Sequence, residues 1–266
     1  DLYEFQEKII NEFENNRLNI ILKARQLGIS TLTAGYSLWM MTFHQDKNIL
    51  VIATKQDTAK NLVTKVRVMH ANLPSWLKQS CVEDNKLSLK YKNGSQIKAV
   101  SSGTESARSE ALSLLVLDEA AFIDKIDQIW TAAQATLTTG GQCIALSTPN
   151  GVGGQYHKLY TEAMLGENEF NSINLPSSVH PERDDEWFQK ETRNMSKRQI
   201  AQELLCDFVA SGETFLQADH LEWIRENIRE PRERRFEDRN LWVWENPLSA
   251  HQYVMSADVA RGDAKD

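Results

Sequence analysis

An apolar run in the middle of the chain ends in two adjacent carboxylates. Residues 114–117 are aliphatic, and Asp118 and Glu119 follow them directly. Such a run has the length of a strand buried in a parallel sheet, which delivers its last residues to the carboxyl edge where α/β proteins bind ligands. There Asp118 is suited to hold Mg²⁺ and Glu119 to polarise a water for attack on a γ-phosphate. The run predicts a nucleotide-hydrolysis site, although the same pattern also occurs by chance in ordinary strands.

A basic turn containing a glycine lies upstream of these carboxylates. Residues 19–22 predict a strand, residues 23–28 a loop and residues 29–31 the start of a helix, which is the order of a phosphate-binding loop. Backbone N–H groups at a helix start favour anions, and the Ser30 hydroxyl is suited to Mg²⁺. The competing interpretation is an ordinary helix entry with exposed basic residues. The candidate nucleotide-binding residues of this turn are Lys23, Arg25, Gln26, Leu27, Gly28, Ile29, Ser30 and Thr31.

This loop departs from the usual Gly-x-x-x-x-Gly-Lys-[Ser/Thr] pattern. The first glycine is absent, and Ile29 stands where the lysine is expected. The positive charge must therefore come from Lys23, a point charge, or from Arg25, a planar fork. The sequence leaves open which of the two is essential.

Composition narrows the class of protein. The chain has 266 residues, 41% of them hydrophobic, which is enough for one α/β core and a smaller unit. No apolar stretch approaches the roughly 20 residues that span a bilayer, and the first residues do not form a signal peptide. A net charge of −7 opposes a protein that coats nucleic acid with its whole surface, but it leaves room for a local DNA-binding patch. Three cysteines without paired spacing argue against disulfides or zinc and favour a reducing compartment.

Alternating elements surround the two motifs. Residues 47–53 predict a buried strand, and residues 57–73 a helix with one apolar face. Residues 87–91 and 96–100 alternate on either side of an Asn-Gly turn and predict a β-hairpin. A further strand is predicted at 142–146. Strands that alternate with helices indicate a parallel sheet.

The pattern changes after about residue 173. Two short helices are predicted within residues 184–205, and residues 224–239 are dense in mixed charge. The arginines of that stretch are suited to DNA, but interleaved glutamates favour a solvated face. Residues 253–258 predict a strand that ends in Asp258. This half of the chain therefore predicts a smaller second unit.

Taken in order, these motifs resemble the ATPase part of the large terminase subunit, the DNA-packaging motor of tailed bacteriophages. The most specific pieces are residues 25–28, residues 107–109 ahead of 115–123, and residues 147–151. The resemblance covers nearly the whole chain. It implies a P-loop NTPase of the ASCE or RecA-like type, with a mostly parallel sheet flanked by helices and a small, mainly helical lid or linker subdomain.

The resemblance also implies roles for residues outside the loop. An aromatic residue and a glutamine near the start contact adenine in the family, which here would be Tyr3 or Phe5 with Gln6; a plain helix start is the alternative. Arg108 matches an arginine that completes the catalytic site, often from a neighbouring subunit, where it stabilises transition-state charge. A surface salt bridge to a nearby glutamate is the competing explanation for Arg108.

A third set of residues matches the turn that couples hydrolysis to movement in the family. These residues are Ser147, Thr148 and Pro149, and Thr148 is suited to sense the γ-phosphate from its strand end; the alternative is a plain turn. Asp258 resembles the first metal-binding carboxylate of an RNase H-type nuclease. One carboxylate cannot build a two-metal site, so nuclease activity is not expected from this chain.

The resemblance implies three parts: an ATPase core at 1–172, a lid or linker subdomain at 173–249, and the first strand of a nuclease domain at 250–266. The expected ligands are ATP and Mg²⁺. The expected partners are double-stranded DNA, the portal protein, the small terminase subunit and further copies in a docked ring, with a monomer in solution and no membrane. The expected location is the cytoplasm of the infected host cell. Two alternatives stay open: a helicase-like translocase and a regulatory module that binds nucleotide without hydrolysis.

Overall fold

The computed structural model describes residues 2–100, 111–137, 140–212, 223–224, 226–235, 241–246, 248–249 and 252. Contacts divide the chain into two compact units, Asp1–Ala218 and Asp219–Asp266. The predicted boundary between residues 172 and 173 falls inside a strand of the first unit, Asn171–Leu175. The three-part division implied by the resemblance therefore stays a prediction.

The first unit is built on one sheet of eight strands. Their order across the sheet is β3-β4-β5-β2-β6-β7-β1-β8. The strands are β1 Leu18–Lys23, β2 Asn48–Ala53, β3 Cys81–Asp84, β4 Ser88–Tyr91, β5 Gln96–Val100, β6 Leu114–Asp118, β7 Gln142–Ser147 and β8 Asn171–Leu175. All pairs from β5 to β8 are parallel, and β3, β4 and β5 pair antiparallel. The predicted parallel sheet and the predicted hairpin of β4 and β5 are confirmed.

Helices cover the sheet and complete the core. They are α1 Glu4–Asn15, α2 Ile29–Phe43, α3 Gln56–Ala71, α4 Ile126–Leu137, α5 Gln155–Leu165, α6 Asp185–Thr192, α7 Lys197–Ile200 and α8 Phe208–Ser211. A π-helical turn, Ala201–Leu205, continues α7. Every residue of β1 and of β6 is buried, because helices pack on both faces of the central strands. Within the described residues, no helix combines the length and apolar character needed to cross a membrane.

The register of the central strands sets three polar residues at one edge. Asp118 ends β6 beside Leu146, Ser147 ends β7 beside Leu22, and Lys23 ends β1. Because β6, β7 and β1 are parallel neighbours, their last residues share the carboxyl edge of the sheet.

The second unit contains one short antiparallel pair, β9 Glu233–Arg235 with β10 Leu241–Val243. The Arg234 guanidinium lies 4.4 Å from the centre of the Trp242 ring, and it also reaches Glu230 at 3.6 Å. Arginine and glutamate side chains of residues 226–235 pair with one another on a largely exposed surface, as the solvated-face interpretation expects.

The central strands should dominate the stability of the first unit. Leu115 in β6 is fully buried, whereas Leu165 at the end of α5 is 67% exposed. We expect Leu115→Ala to lower the free energy of unfolding by about 2–5 kcal/mol, because it removes buried methyl groups and leaves a cavity. Leu165→Ala is the matched control and should change it by less than about 0.5 kcal/mol. Urea unfolding measures both, and equal losses would contradict this account of the core.

Candidate active site

The loop between β1 and α2 forms a cradle of backbone N–H groups. Gln26 and Gly28 both have positive φ, at 57° and 78°, so the chain turns sharply before α2. Within the described residues, no hydrogen bond is donated by the backbone N–H groups of residues 26–30. Successive free N–H groups in such a turn form an anion-binding concavity at a helix start.

Two apolar side chains anchor this loop in the core. Leu27 is 2% exposed and Ile29 is 1% exposed. Ile29, in the position of the expected lysine, therefore points into the core and supplies no charge. Thr31 follows on the exposed side of α2, and its N–H donates to Gly28 O at 3.0 Å.

Lys23 brings the positive charge to the carboxylates. Its Nζ lies 3.1 Å from Oε1 of Glu119, and its side chain is 7% exposed. Lys23 ends β1 and Glu119 follows β6, with β7 between them, so the pair closes across the end of one strand. A cation at this depth offsets the cost of burying carboxylates beside one another.

Arg25 has a different partner. Its Nε lies 2.7 Å from Oε2 of Glu203, which belongs to the π-helical turn, and its backbone N–H donates to Glu203 O at 2.8 Å. Opposite charges at this distance form an ion pair. The Arg25 side chain is 69% exposed, against 7% for Lys23. The structure thus separates the two candidate cations: Lys23 faces Glu119 and Arg25 faces the π-helical turn.

Asp118 is buried and held by two donors. The Ser30 hydroxyl donates to its Oδ1 at 3.3 Å, and the Glu119 backbone N–H donates to the same oxygen at 3.1 Å. Burial raises the pKa of the Asp118 carboxyl and the charge of Glu119 adds to the rise, while Lys23 and the Ser30 hydrogen bond oppose it. Glu119 itself has φ of 53°, a left-handed conformation that is uncommon outside glycine and clusters at functional sites.

The residues of the predicted coupling turn lie beside these carboxylates. The Ser147 hydroxyl accepts a hydrogen bond from Ala121 N at 3.1 Å, so β7 holds the turn that follows Glu119. Thr148 is buried next to it. Pro149 O accepts from Gln202 Nε2 at 3.0 Å, which ties the turn to the same π-helical turn that carries Glu203.

The residues of the predicted adenine contact cluster near the start of the chain. Gln6 Nε2 donates to Leu27 O at 3.0 Å, so its amide supports the phosphate loop. The rings of Tyr3 and Phe5 both lie against His180, at 4.5 and 6.0 Å between centroids. The adenine role of these residues stays a prediction.

Two predicted site residues, Arg108 and Asp258, lie outside the described residues. Conversely, sequence reasoning missed the residues that brace the loop from a distance. These are Arg183, which donates to the carbonyls of Arg25 and Gln26, and Glu203 and Gln202 of the π-helical turn. No local motif marks them, because their partners lie 53 residues away or more along the chain.

The family model described as terminase large subunit, T4likevirus-type, N-terminal, matches residues 20–222 of this chain. The chain belongs to this terminase family. The predicted resemblance is therefore confirmed. The match contains the loop before α2, the Asp118–Glu119 pair and residues 147–149.

Solved terminases share the fold. The large terminase ATPase domain of Thermus phage P74-26 superposes with a TM-score of 0.65 at 20% identity, covering 79% of this chain and 94% of that one. The HK97 bacteriophage large terminase gives 0.57 at 21% identity, covering 70% and 41%. A large terminase of a thermophilic bacteriophage, solved in complex with ADP, gives 0.64 at 12% identity, covering 79% and 54%. This terminase chain spans about half the length of the large terminase solved with ADP. The predicted fold, a mostly parallel sheet flanked by helices, is confirmed.

The glycine of the phosphate loop allows a matched test of loop geometry. A Cβ at Gly28 would lie 2.9 Å from Gln6 Nε2 in a left-handed backbone, whereas Gly35 in the interior of α2 has room for one. We expect Gly28→Ala to lower the free energy of unfolding by about 1–2 kcal/mol. Gly35→Ala should raise it by about 0.5–1 kcal/mol. Chemical denaturation measures both, and the same sign for the two variants would contradict the loop geometry.

The burial of Asp118 implies a cost in folding stability that depends on pH. Its pKa is raised in the folded protein, so the stability it contributes is present below the unfolded pKa and is lost as pH rises through the folded pKa. We therefore expect Asp118→Asn to be more stable than the wild type at pH 8, with a difference that shrinks toward pH 4. Unfolding free energies at the two pH values test this. The exposed Asp124→Asn is the control, and an Asp118→Asn variant that is less stable at both pH values would refute the prediction.

Proposed function

We propose that this terminase chain binds ATP with Mg²⁺ and hydrolyses it, as the motor that drives double-stranded DNA into a viral procapsid. One observation carries the proposal. The Lys23–Glu119 and Ser30–Asp118 contacts lie at the carboxyl edge of β1 and β6, where the free N–H groups of residues 26–30 begin α2. Phosphoryl transfer needs these parts together: an anion cradle, a cation, a metal-binding carboxylate and a group that orients water.

The loop would bind the phosphates of ATP. Five successive N–H groups that have no acceptor among the described residues would supply hydrogen bonds, and the start of α2 adds a favourable dipole. On nucleotide binding, the Lys23 ammonium would exchange its contact with Glu119 for a phosphate oxygen. That exchange would leave the Glu119 carboxylate free to accept a proton from the attacking water.

The donor set fits Mg²⁺. The Asp118 carboxylate and the Ser30 hydroxyl are oxygen ligands 3.3 Å apart, and a cation there would relieve the desolvation that raises the pKa of Asp118. Among the described residues, no cluster of three or more His, Cys, Asp or Glu side chains could hold a metal alone. We propose that the ion would be held by Asp118, Ser30 and the phosphates, where it would neutralise charge on the transferred group.

We propose that residues 147–149 couple hydrolysis to movement, and two hydrogen bonds support this role. Ser147 contacts the backbone just after Glu119, and Pro149 contacts Gln202 of the π-helical turn. These two bonds connect the turn that follows Glu119 with residues 201–205. Arg108 is proposed to complete the site from a neighbouring subunit in a ring.

The relatives support nucleotide chemistry. Large terminases of a thermophilic bacteriophage were solved with ADP and with ATP-γ-S, and the Thermus phage P74-26 domain is described as an ATPase domain. Because the chain belongs to the terminase family, we propose that its partners are the portal protein, the small terminase subunit and further copies of this chain. We propose that it acts in the cytoplasm of the infected host cell. Asp258 stays a proposed metal ligand of a nuclease site.

Three substitutions test the hydrolase proposal against a module that binds nucleotide without turnover. We expect Glu119→Gln to lower phosphate release from ATP by about 100-fold or more, while ATP affinity changes little, because the amide cannot accept the proton. Lys23→Ala should weaken ATP binding itself, since it removes a buried charge, and Arg25→Ala shows whether the exposed cation contributes. Malachite green assays and calorimetric titration measure the two quantities.

The exposed Glu186→Gln and Lys190→Ala serve as matched controls and should behave as the wild type. Equal phosphate release from Glu119→Gln and wild type would exclude Glu119 as the group that activates water. ATP binding without release by the wild type, with Glu119→Gln unchanged, would favour the regulatory module.

A further inference from the structure

Three successive carbonyls of the phosphate loop accept hydrogen bonds from distant side chains. Arg183 Nη1 donates to Arg25 O and its Nη2 donates to Gln26 O, each at 3.0 Å. Gln6 Nε2 donates to Leu27 O, also at 3.0 Å. One guanidinium therefore spans two neighbouring peptide groups, and an amide holds the third.

These bonds stabilise the backbone conformation with which the loop enters α2. The carbonyls of Arg25 and Gln26 are the acceptors, four residues back, that the N–H groups of Ile29 and Ser30 would use if α2 began one turn earlier. Arg183 donates to both carbonyls, and those two N–H groups have no protein acceptor among the described residues. The same bonds engage carbonyl oxygens whose partial negative charge would otherwise disfavour an anion nearby.

Arg183 is itself fixed in place. Its guanidinium lies 4.7 Å from the centre of the Trp187 ring, and its own N–H donates to His180 O at 3.0 Å. Asp184 begins α6 by accepting a hydrogen bond from Trp187 N at 2.8 Å. A held guanidinium loses little further freedom when it makes a two-point contact.

The turn that carries Arg183 is tied to the start of α1 as well. The His180 ring lies 4.5 Å from the Tyr3 ring, and Tyr3 OH donates to Glu182 at 3.2 Å. Residues 180–183 therefore bridge the first helix and the phosphate loop, although they lie more than 150 residues from both along the chain.

We propose that Arg183 is a positioning residue for nucleotide binding, which holds the phosphate loop open toward phosphate by occupying the carbonyls of Arg25 and Gln26. The proposal rests on the proposed function, since it assumes that the loop binds a nucleotide phosphate. Arg183 acts through the backbone and not by touching the nucleotide. Its loss should therefore weaken binding more than it slows the chemical step.

Two other roles make different predictions. An arginine that supplies only a point charge to a phosphate oxygen would be replaced well by lysine, whereas lysine cannot span two carbonyls. If Arg183 only stabilised the fold, its replacement would lower the fraction of active protein. The maximal rate would then fall while the apparent affinity stayed unchanged.

The test is calorimetric titration with ADP of the wild type, Arg183→Ala, Arg183→Lys and the exposed control Arg193→Ala, with thermal unfolding of each. We expect Arg183→Ala to weaken ADP binding about tenfold or more, from the loss of two charge-assisted hydrogen bonds. Arg183→Lys should recover only a small part of this affinity, and Arg193→Ala should match the wild type. In ATP turnover, Arg183→Ala should raise KM about tenfold and change kcat by less than about threefold.

The outcomes separate this inference from the proposed function. A wild type that binds no ADP would overturn both. A wild type that binds ADP together with an Arg183→Ala variant of equal affinity would overturn the inference alone. Full affinity in Arg183→Lys would also overturn it, in favour of direct contact with phosphate, as would a lowered kcat with unchanged KM.

Discussion

The ion pair between Lys23 and Glu119 is the contact on which the candidate site depends. Asp118 and Glu119 are adjacent acids, and Asp118 is buried, so each raises the electrostatic cost of the other. Lys23 offsets that cost from the end of a strand that is not a neighbour of β6. In this fold the pair is set by β7, which lies between β6 and β1 in parallel register. The electrostatics of the site therefore depend on the order of the strands in the sheet.

The phosphate loop is shaped from outside as much as by its own sequence. Leu27 and Ile29 anchor it in the core, positive φ at Gln26 and Gly28 turns it, and side chains from α1 and from residues 180–183 hold its carbonyls. These supports come from parts of the first unit that are distant along the chain, so the conformation of the loop depends on tertiary packing. A loop held in its binding conformation before the ligand arrives loses less entropy on binding.

The fold was predictable where burial imposes a clear period. The aliphatic strands β2 and β6, the helix α3 and the hairpin of β4 and β5 follow from hydrophobic spacing and from one Asn-Gly turn. The edge strands were not predictable in this way. Residues 81–84 are all exposed, and residues 171–175 carry polar side chains at an edge with one partner, so neither shows the pattern that burial on two faces produces. The sequence predicted a second unit after residue 173 because the hydrophobic pattern changes there. Strand β8, residues 171–175, nevertheless continues the sheet of the first unit across that boundary.

The sequence by itself determined the chemistry of the strand ends: a carboxylate pair after β6, a basic loop before α2 and a polar turn after β7, in an order that a terminase family shares. Local spacing carries this information, because each motif lies within a few residues of one strand. Only the tertiary structure decided which cation meets which acid, Lys23 with Glu119 and Arg25 with Glu203. It also decided that Arg183 holds the loop. These contacts join residues 96 to 178 positions apart, and only the packing of the sheet and helices sets such distances.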